Sequence, residues 1–200
     1  MNPVLVQAEQ LGFSIGGQPL LKSLDFAIRS GLSLVRGGDG CGKTTLLRLL
    51  AGELQPGSGR LHRQVQGISF ERPAGEVHDP VQASAWLAAR REVFAATWQA
   101  PLADALVTDF SLAEHLDKPM YMLSTGSRRK VGLVAAAASG AQLTLLDTPF
   151  AALDARSSRR LVALLAEAAA GTQRAWVLAD YAQPALLAKV PLAAMVDLGD

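Results

Sequence analysis

The chain opens on apolar and polar positions in alternation, the period of a half-buried strand. Val4 to Ala8 runs on through Leu11 and Phe13, Leu24 to Ile28 alternates, and Leu32 to Val35 is a compact apolar run. Gly16-Gly17 and Ser30-Gly31 supply the turns between them. A helix is predicted from about Gly42 through Lys43 to Ala51, with Gly52 as its stop. Arg60 to Gln64 and Gly67 to Phe70 predict a further hairpin. From Asp79 the spacing turns helical. Asp79 is placed as an N-cap with Pro80 at the first helical position, and Trp86, Leu87, Val93, Phe94 and Trp98 follow on one face. Ser111 to Glu114 carries the capping-box pattern and predicts another short helix. Residues 75–120 therefore read as a helical insertion, with Trp86 and Trp98 in its local core. Then come a helix from Gly126 to Ser139, a strand from Leu143 to Leu146, and a helix from Ala155 to Ala170 between Asp154 and Gly171. A strand from Ala175 to Ala179, a helix near Pro184 to Lys189 and a strand near Met195 complete the series. Strands alternating with helices predict a parallel sheet covered on both faces.

Composition narrows the possibilities. The 200 residues are 50% apolar, enough for one unit with a real core. A net charge of +1 argues against a polyanion partner, so no nucleic acid is expected. Arg90-Arg91, Arg128-Arg129-Lys130 and Arg159-Arg160 fall inside helical patterns and are expected on solvated helix faces. Cys41 is the single cysteine, which excludes an internal disulfide and fits a reducing compartment. His62, His78 and His115 lack metal-ligand spacing. The opening residues show no signal-peptide pattern. The longest apolar stretch, Val131 to Leu146, is broken by Gly132, Ser139, Gly140, Gln142 and Thr144, too often to cross a bilayer. The expectation is a cytoplasmic protein that meets the membrane only through a partner.

Chemistry enters at Gly37-Gly38-Asp39-Gly40-Cys41-Gly42-Lys43-Thr44, followed by Thr45. The run fits the already familiar phosphate-loop pattern G-x-x-x-x-G-K-[ST]. Glycines let successive amides turn inward on phosphate oxygens, and the following helix adds the positive end of its dipole. Lys43 suits the β- and γ-phosphates, and the Thr44 hydroxyl suits Mg²⁺. The apolar strand ending in Asp147 offers a carboxylate to the same Mg²⁺ across from Thr44. Cys41 beside this site is read as a small filler, with a redox role as the alternative.

Leu123-Ser124-Thr125-Gly126-Ser127 precedes a helix and the Asp147 strand, and Ala152-Leu153-Asp154 follows it. This order resembles an ABC (ATP-binding cassette) ATPase: phosphate loop, helical subdomain, signature, metal-carboxylate strand, then a further loop. The resemblance implies an α/β P-loop NTPase with a RecA-like parallel core, an N-terminal antiparallel β part and a short helical subdomain. It implies one domain over 1–200, with the nucleotide core at 1–74 and 121–200 and the subdomain at 75–120. ATP and Mg²⁺ are the implied cofactors, and Ser124 and Gly126 would face ATP held by a second ATPase subunit. A transmembrane permease is the implied partner, met at the inner face of the membrane. The compact length is similar to ATPases of haem export and cytochrome c maturation.

Several positions depart from the family pattern. Thr148 stands where the resemblance implies a glutamate that activates water, and a hydroxyl cannot take a proton near neutral pH as a carboxylate does. Tyr181, or Asp180 one position earlier, stands at the switch histidine. Glu71 or Arg72 replaces a glutamine, Ile15 with Phe13 nearby occupies the adenine-stacking segment, and Ser127 closes the signature. Phosphate and metal groups are kept while water-activating groups are altered. The expected function is an ATP-binding transporter subunit with slow or partner-dependent hydrolysis. The alternative is a regulatory or structural subunit without useful turnover.

Overall fold

The computed structural model describes residues 3–72 and 78–199. Among these the strands form two sheets. Strands β1 (Val4–Ile15), β2 (Gln18–Arg29) and, after β3 (Gly31–Arg36) and helix α1 (Lys43–Ala51), β4 (Ser58–Arg63) make an antiparallel sheet of order β2-β1-β4. The second sheet is parallel throughout. It contains β3, β5 (Ile68–Ser69), β6 (Leu143–Asp147), β7 (Ala175–Asp180) and β8 (Ala194–Asp197) in the order β5-β6-β7-β3-β8. Helices α2 (Ala83–Val93), α3 (Ala100–Asp109), α4 (Thr125–Ala138) and α5 (Ala155–Ala170) account for the rest.

The central strands are buried on both faces, yet their side chains still divide by the period of two. Val35 of β3, Leu143 and Leu145 of β6, and Val177 and Ala179 of β7 pack with α1 and the antiparallel sheet. Leu32 and Leu34, Leu146, and Trp176 and Leu178 pack instead with α4, α5 and the 78–120 helices. Two cores thus share one sheet, and the C-terminal tips of β3 and β6 emerge between them. A crevice at those tips is where a doubly covered parallel sheet binds ligands.

Several predicted elements need correction. The two segments at 60–70 are not a hairpin. Gln64 donates its amide to Leu5 O at 2.8 Å and Gln66 to the Gln142 side chain at 2.6 Å, so β4 joins one sheet and β5 the other. Asp79 caps no helix. The amides of Ala83 and Ser84 at the start of α2 donate to Lys118 O and Leu116 O, and the Asp79 carboxylate accepts from Arg128 at 2.9 Å. A tertiary partner there overrides a local capping preference. Helix α2 stops at Val93, and α3, not predicted separately, starts with Pro101 in its first turn and buries Ala103 and Leu106. Ser111 forms no capping box: its backbone is left-handed (φ 54°) and closes α3, leaving one 3₁₀ turn at Ala113–His115. The helix expected at 184–189 is likewise a single turn, Ala185–Leu187. Residues 75–77, where the insertion was expected to begin, lie outside the described residues.

The basic clusters are not solvated faces either. Arg90 faces Glu71 at 3.8 Å, Lys130 reaches Asp154 at 2.6 Å, and Arg160 reaches Asp109 at 2.7 Å. Only Arg91 and Arg159 of these runs point freely outward. The other cations are half-buried, and all of these but Arg129 have a carboxylate within ion-pairing distance among the described residues, as a half-buried charge favours. Trp86, as expected, is buried in the local core, and Trp98 packs against it.

Candidate functional site

The loop from Gly37 to Gly42 carries the chain from the tip of β3 into α1. Gly42 is the N-cap, with φ 100°, and a Cβ there would lie 2.8 Å from Leu21 Cδ2. Both backbone sign and space therefore exclude a side chain. No side chain caps α1, so its first-turn amides remain an anion-binding end. Lys43 folds back, and its ammonium donates to Gly37 O and Gly38 O at 2.6 Å each. Asp39, Gly40 and Thr44 are exposed, Thr45 and Cys41 half-buried. Cys41 Sγ lies 2.6 Å from where a Gly37 Cβ would stand, so the thiol fills the inside of the loop.

Across the crevice, the Thr44 hydroxyl donates to Asp147 Oδ2 at 2.6 Å. Two residues 103 positions apart thus meet where the tip of β6 faces the start of α1. The loop is braced from behind. Gly37 donates to Tyr181 O at 3.3 Å, Gly38 to Gly199 O at 2.9 Å, and Arg36 Nε to Asp197 at 2.9 Å. The Arg36 guanidinium holds the Asp197 carboxyl below its ordinary range.

Thr148 and Tyr181 directly follow β6 and β7, beside that tip. Thr148 follows Asp147 with a left-handed backbone (φ 42°), and its amide donates to Ala179 O at 2.8 Å. Arg129 of α4 donates to the carbonyls of Asp147 and Thr148. The Tyr181 ring is exposed, while the Asp180 carboxylate accepts from the Tyr181 amide at 2.8 Å. Glu71, two residues past β5, has a side chain 6% exposed that accepts a 3.1 Å bond from Ser69. Burial pushes its carboxyl upward, against the pull of Arg90 and Ser69. Arg72 turns away to Glu53 at 2.6 Å and lies over the Phe70 ring. Ile15 is exposed at the end of β1, with Phe13 half-buried.

Ser124 is the N-cap of α4, accepting from the Ser127 amide at 3.1 Å. Gly126 is buried, and a Cβ there would come within 2.4 Å of Ala152 O. No hydrogen bond joins Ser124 or Gly126 to residues 37–45 among the described residues. The structure brings the phosphate loop, Asp147, Thr148 and Tyr181 into one region. Sequence reasoning missed Arg129, which it had placed on a solvated face, and the brace from Gly199. No local pattern marked the first, because its contacts are 18 and 19 positions away.

The residues 21–151 match the sequence profile of the ABC transporter family. The chain belongs to the ABC transporter family. Taurine import ATP-binding protein TauB of Escherichia coli is 35% identical over 165 residues, covering 76% of this chain and 63% of that protein. The chain therefore spans less than two thirds of the length of that relative. Cytochrome c biogenesis ATP-binding export protein CcmA of Pseudomonas syringae is 33% identical over 167 residues, covering 74% of this chain and 75% of its own. Among solved structures, an ATP-binding subunit of an ABC transporter superposes with TM-score 0.79 at 19% identity, covering 93% of this chain and 82% of that one. A nucleotide-free ATP-binding cassette gives 0.74 at 15% identity, covering 97% and 88%. These likenesses show the fold: an ABC-type P-loop NTPase with a parallel core sheet and a separate antiparallel sheet. In this ABC chain no described helix is long and apolar enough to cross a membrane.

Proposed function

We propose that this chain is the nucleotide-binding subunit of an ABC transporter, holding MgATP between residues 37–45 and Asp147. The observation that carries the reading is the 2.6 Å bond between Thr44 Oγ1 and Asp147 Oδ2 beside Lys43. A hydroxyl and a carboxylate set against each other, next to an ammonium at a helix N-terminus, make a donor set suited to Mg²⁺ and a triphosphate. The metal would supply positive charge against the phosphates. Lys43 would exchange its two carbonyl partners for phosphate oxygens, Thr44 and Asp147 would hold the metal, and the α1 amides would face the phosphates. Gly42 would let the backbone approach them.

Ser124 and Gly126 would complete the site of a second ATPase subunit, identical or different. The exposed N-terminus of α4, with no link to its own chain's loop, supports that use. A membrane permease would receive the resulting closure, which places the subunit at the cytoplasmic face. The relatives' names, taurine import and cytochrome c biogenesis export, point in opposite transport directions. Thr148 and Tyr181, at the positions for water activation, favour slow hydrolysis, and loss of an acid–base group costs about 10²–10⁴-fold. A regulatory subunit without useful turnover is the second reading, favoured by the same two residues.

Lys43→Ala tests the site. The variant should keep the parent's circular dichroism and melting curve and lose measurable MgATP binding by calorimetric titration. Binding at the parent's affinity would sink the assignment. A steady-state ATPase assay on the parent separates slow turnover from none.

A further inference from the structure

Arg129 projects from α4 onto the loop that leaves β6. Its Nη1 donates to Asp147 O at 3.3 Å, to the Thr148 carbonyl, and toward Thr148 Oγ1 at 3.5 Å. Its Nε is buried and has no hydrogen-bond partner among the described residues. The neighbouring cations differ. Arg128 is paired with Asp79, Lys130 with Asp154, Arg160 with Asp109 and Arg90 with Glu71. Arg129 has carbonyl and hydroxyl partners and, among the described residues, no carboxylate within ion-pairing distance. A part-buried cation without an anion is costly. This one lies on a threonine whose φ of 42° is itself unfavourable for a β-branched residue. Two costs at one peptide, beside the metal carboxylate, call for an explanation.

We propose that Arg129 is a positioning residue that locks the Asp147–Thr148 peptide and places a fixed positive charge where the family pattern has a base. The inference rests on the nucleotide-binding reading above. By gripping both carbonyls, the guanidinium keeps the Asp147 side chain turned toward Thr44. Its charge also sets what residue 148 can be. A carboxylate introduced there meets a cation already within about 3.5 Å of the side chain's first polar atom. Ion pairing occupies its oxygens and turns them toward the guanidinium, so they are not free to orient water. Thr148 and Arg129 therefore act as a matched pair, and neither alone accounts for slow turnover.

The test is a double-mutant cycle on the full chain, reading ATPase rate and MgATP affinity for every variant. Arg129→Gln keeps an N–H donor for the Thr148 carbonyl and removes the charge. The rate gain from Thr148→Glu should be at least about tenfold larger in the Arg129→Gln background than in the parent. In an Arg129→Lys background, which keeps the charge, the gain should stay as small as in the parent. A merely structural role would lower the rates in both arginine variants without this split. Equal gains from Thr148→Glu in all three backgrounds, with MgATP affinity retained, overturn the proposal alone. If Arg129→Gln does not fold, an equal gain in parent and Arg129→Ala backgrounds overturns it too. A folded parent that does not bind MgATP removes the nucleotide reading and this proposal with it.

Discussion

Glu71 shows how a single residue can be found in the sequence and still not be understood there. Its position was predicted, as one of two replacements for a glutamine, but not its setting. The structure leaves its side chain 6% exposed, facing Arg90 and held by Ser69, while Arg72 leaves for Glu53. Burial raises its pKa. For an acid with a folded-state pKa above the unfolded one, folding is least penalised below the unfolded value. Stability then falls as pH rises through the window up to the raised value. Glu71→Gln removes that charge and keeps a hydrogen bond for Ser69. Its melting temperature should exceed the parent's at pH 7, and the gap should close on acidification below the ordinary carboxylate range. A variant less stable than the parent at pH 7 would mean that Arg90 stabilises the carboxylate more than burial disfavours it. Lys43 and Thr44 were legible because their motif is eight consecutive residues with one conformational meaning. Arg129 was not, because its role depends on a carbonyl 19 positions away.

At the level of elements, α5 is the case where local rules sufficed. Asp154 caps it, accepting from the Ser157 amide at 2.8 Å, and Gly171 follows its end, both as predicted. The same carboxylate also receives Lys130 of α4 at 2.6 Å, ahead of the Ser157 amide as the cause of its depressed pKa. Asp154→Ala should therefore cost about 1 kcal/mol, mostly from the cap, since a half-exposed ion pair adds little. In a chain of this size that is a fall of about 2–4 °C in Tm. A group with a lowered folded-state pKa stabilises above its unfolded value and loses that contribution as pH falls. The gap between parent and variant should thus narrow below the ordinary carboxylate range, and a gap independent of pH would contradict the assignment. Asp79 had the same sequence credentials and failed as a cap because Arg128 claimed it. Sequence rules for helix ends hold where no distant partner competes. The hairpin at 60–70 failed for a related reason, since alternation marks a strand without naming its sheet.

For the whole molecule, the two ends of the proposed chemistry lie on different elements of one chain. The loop at 37–45 and the N-terminus of α4 make no hydrogen bond to each other among the described residues. On the proposed reading, completing either site takes a second subunit. Ser124→Arg should abolish MgATP-dependent dimers in light scattering while MgATP binding through Lys43 persists. Dimers that survive the substitution would show that this signature faces no partner nucleotide. The parallel order β5-β6-β7-β3-β8 was only partly legible: alternation announced a parallel sheet, but not that β3 lies between β7 and β8, both far later in the chain. That placement governs how the protein is born. Arg36 waits for Asp197, 161 positions later, and Gly38 for the carbonyl of Gly199. During synthesis, at about 5–20 residues per second, the phosphate loop leaves the ribosome long before the strands that flank and brace it. The nascent chain passes through a stage with β3 unpaired on both edges and apolar α1 already made. A braced phosphate loop is thus acquired only after β7, β8 and Gly199 have been made.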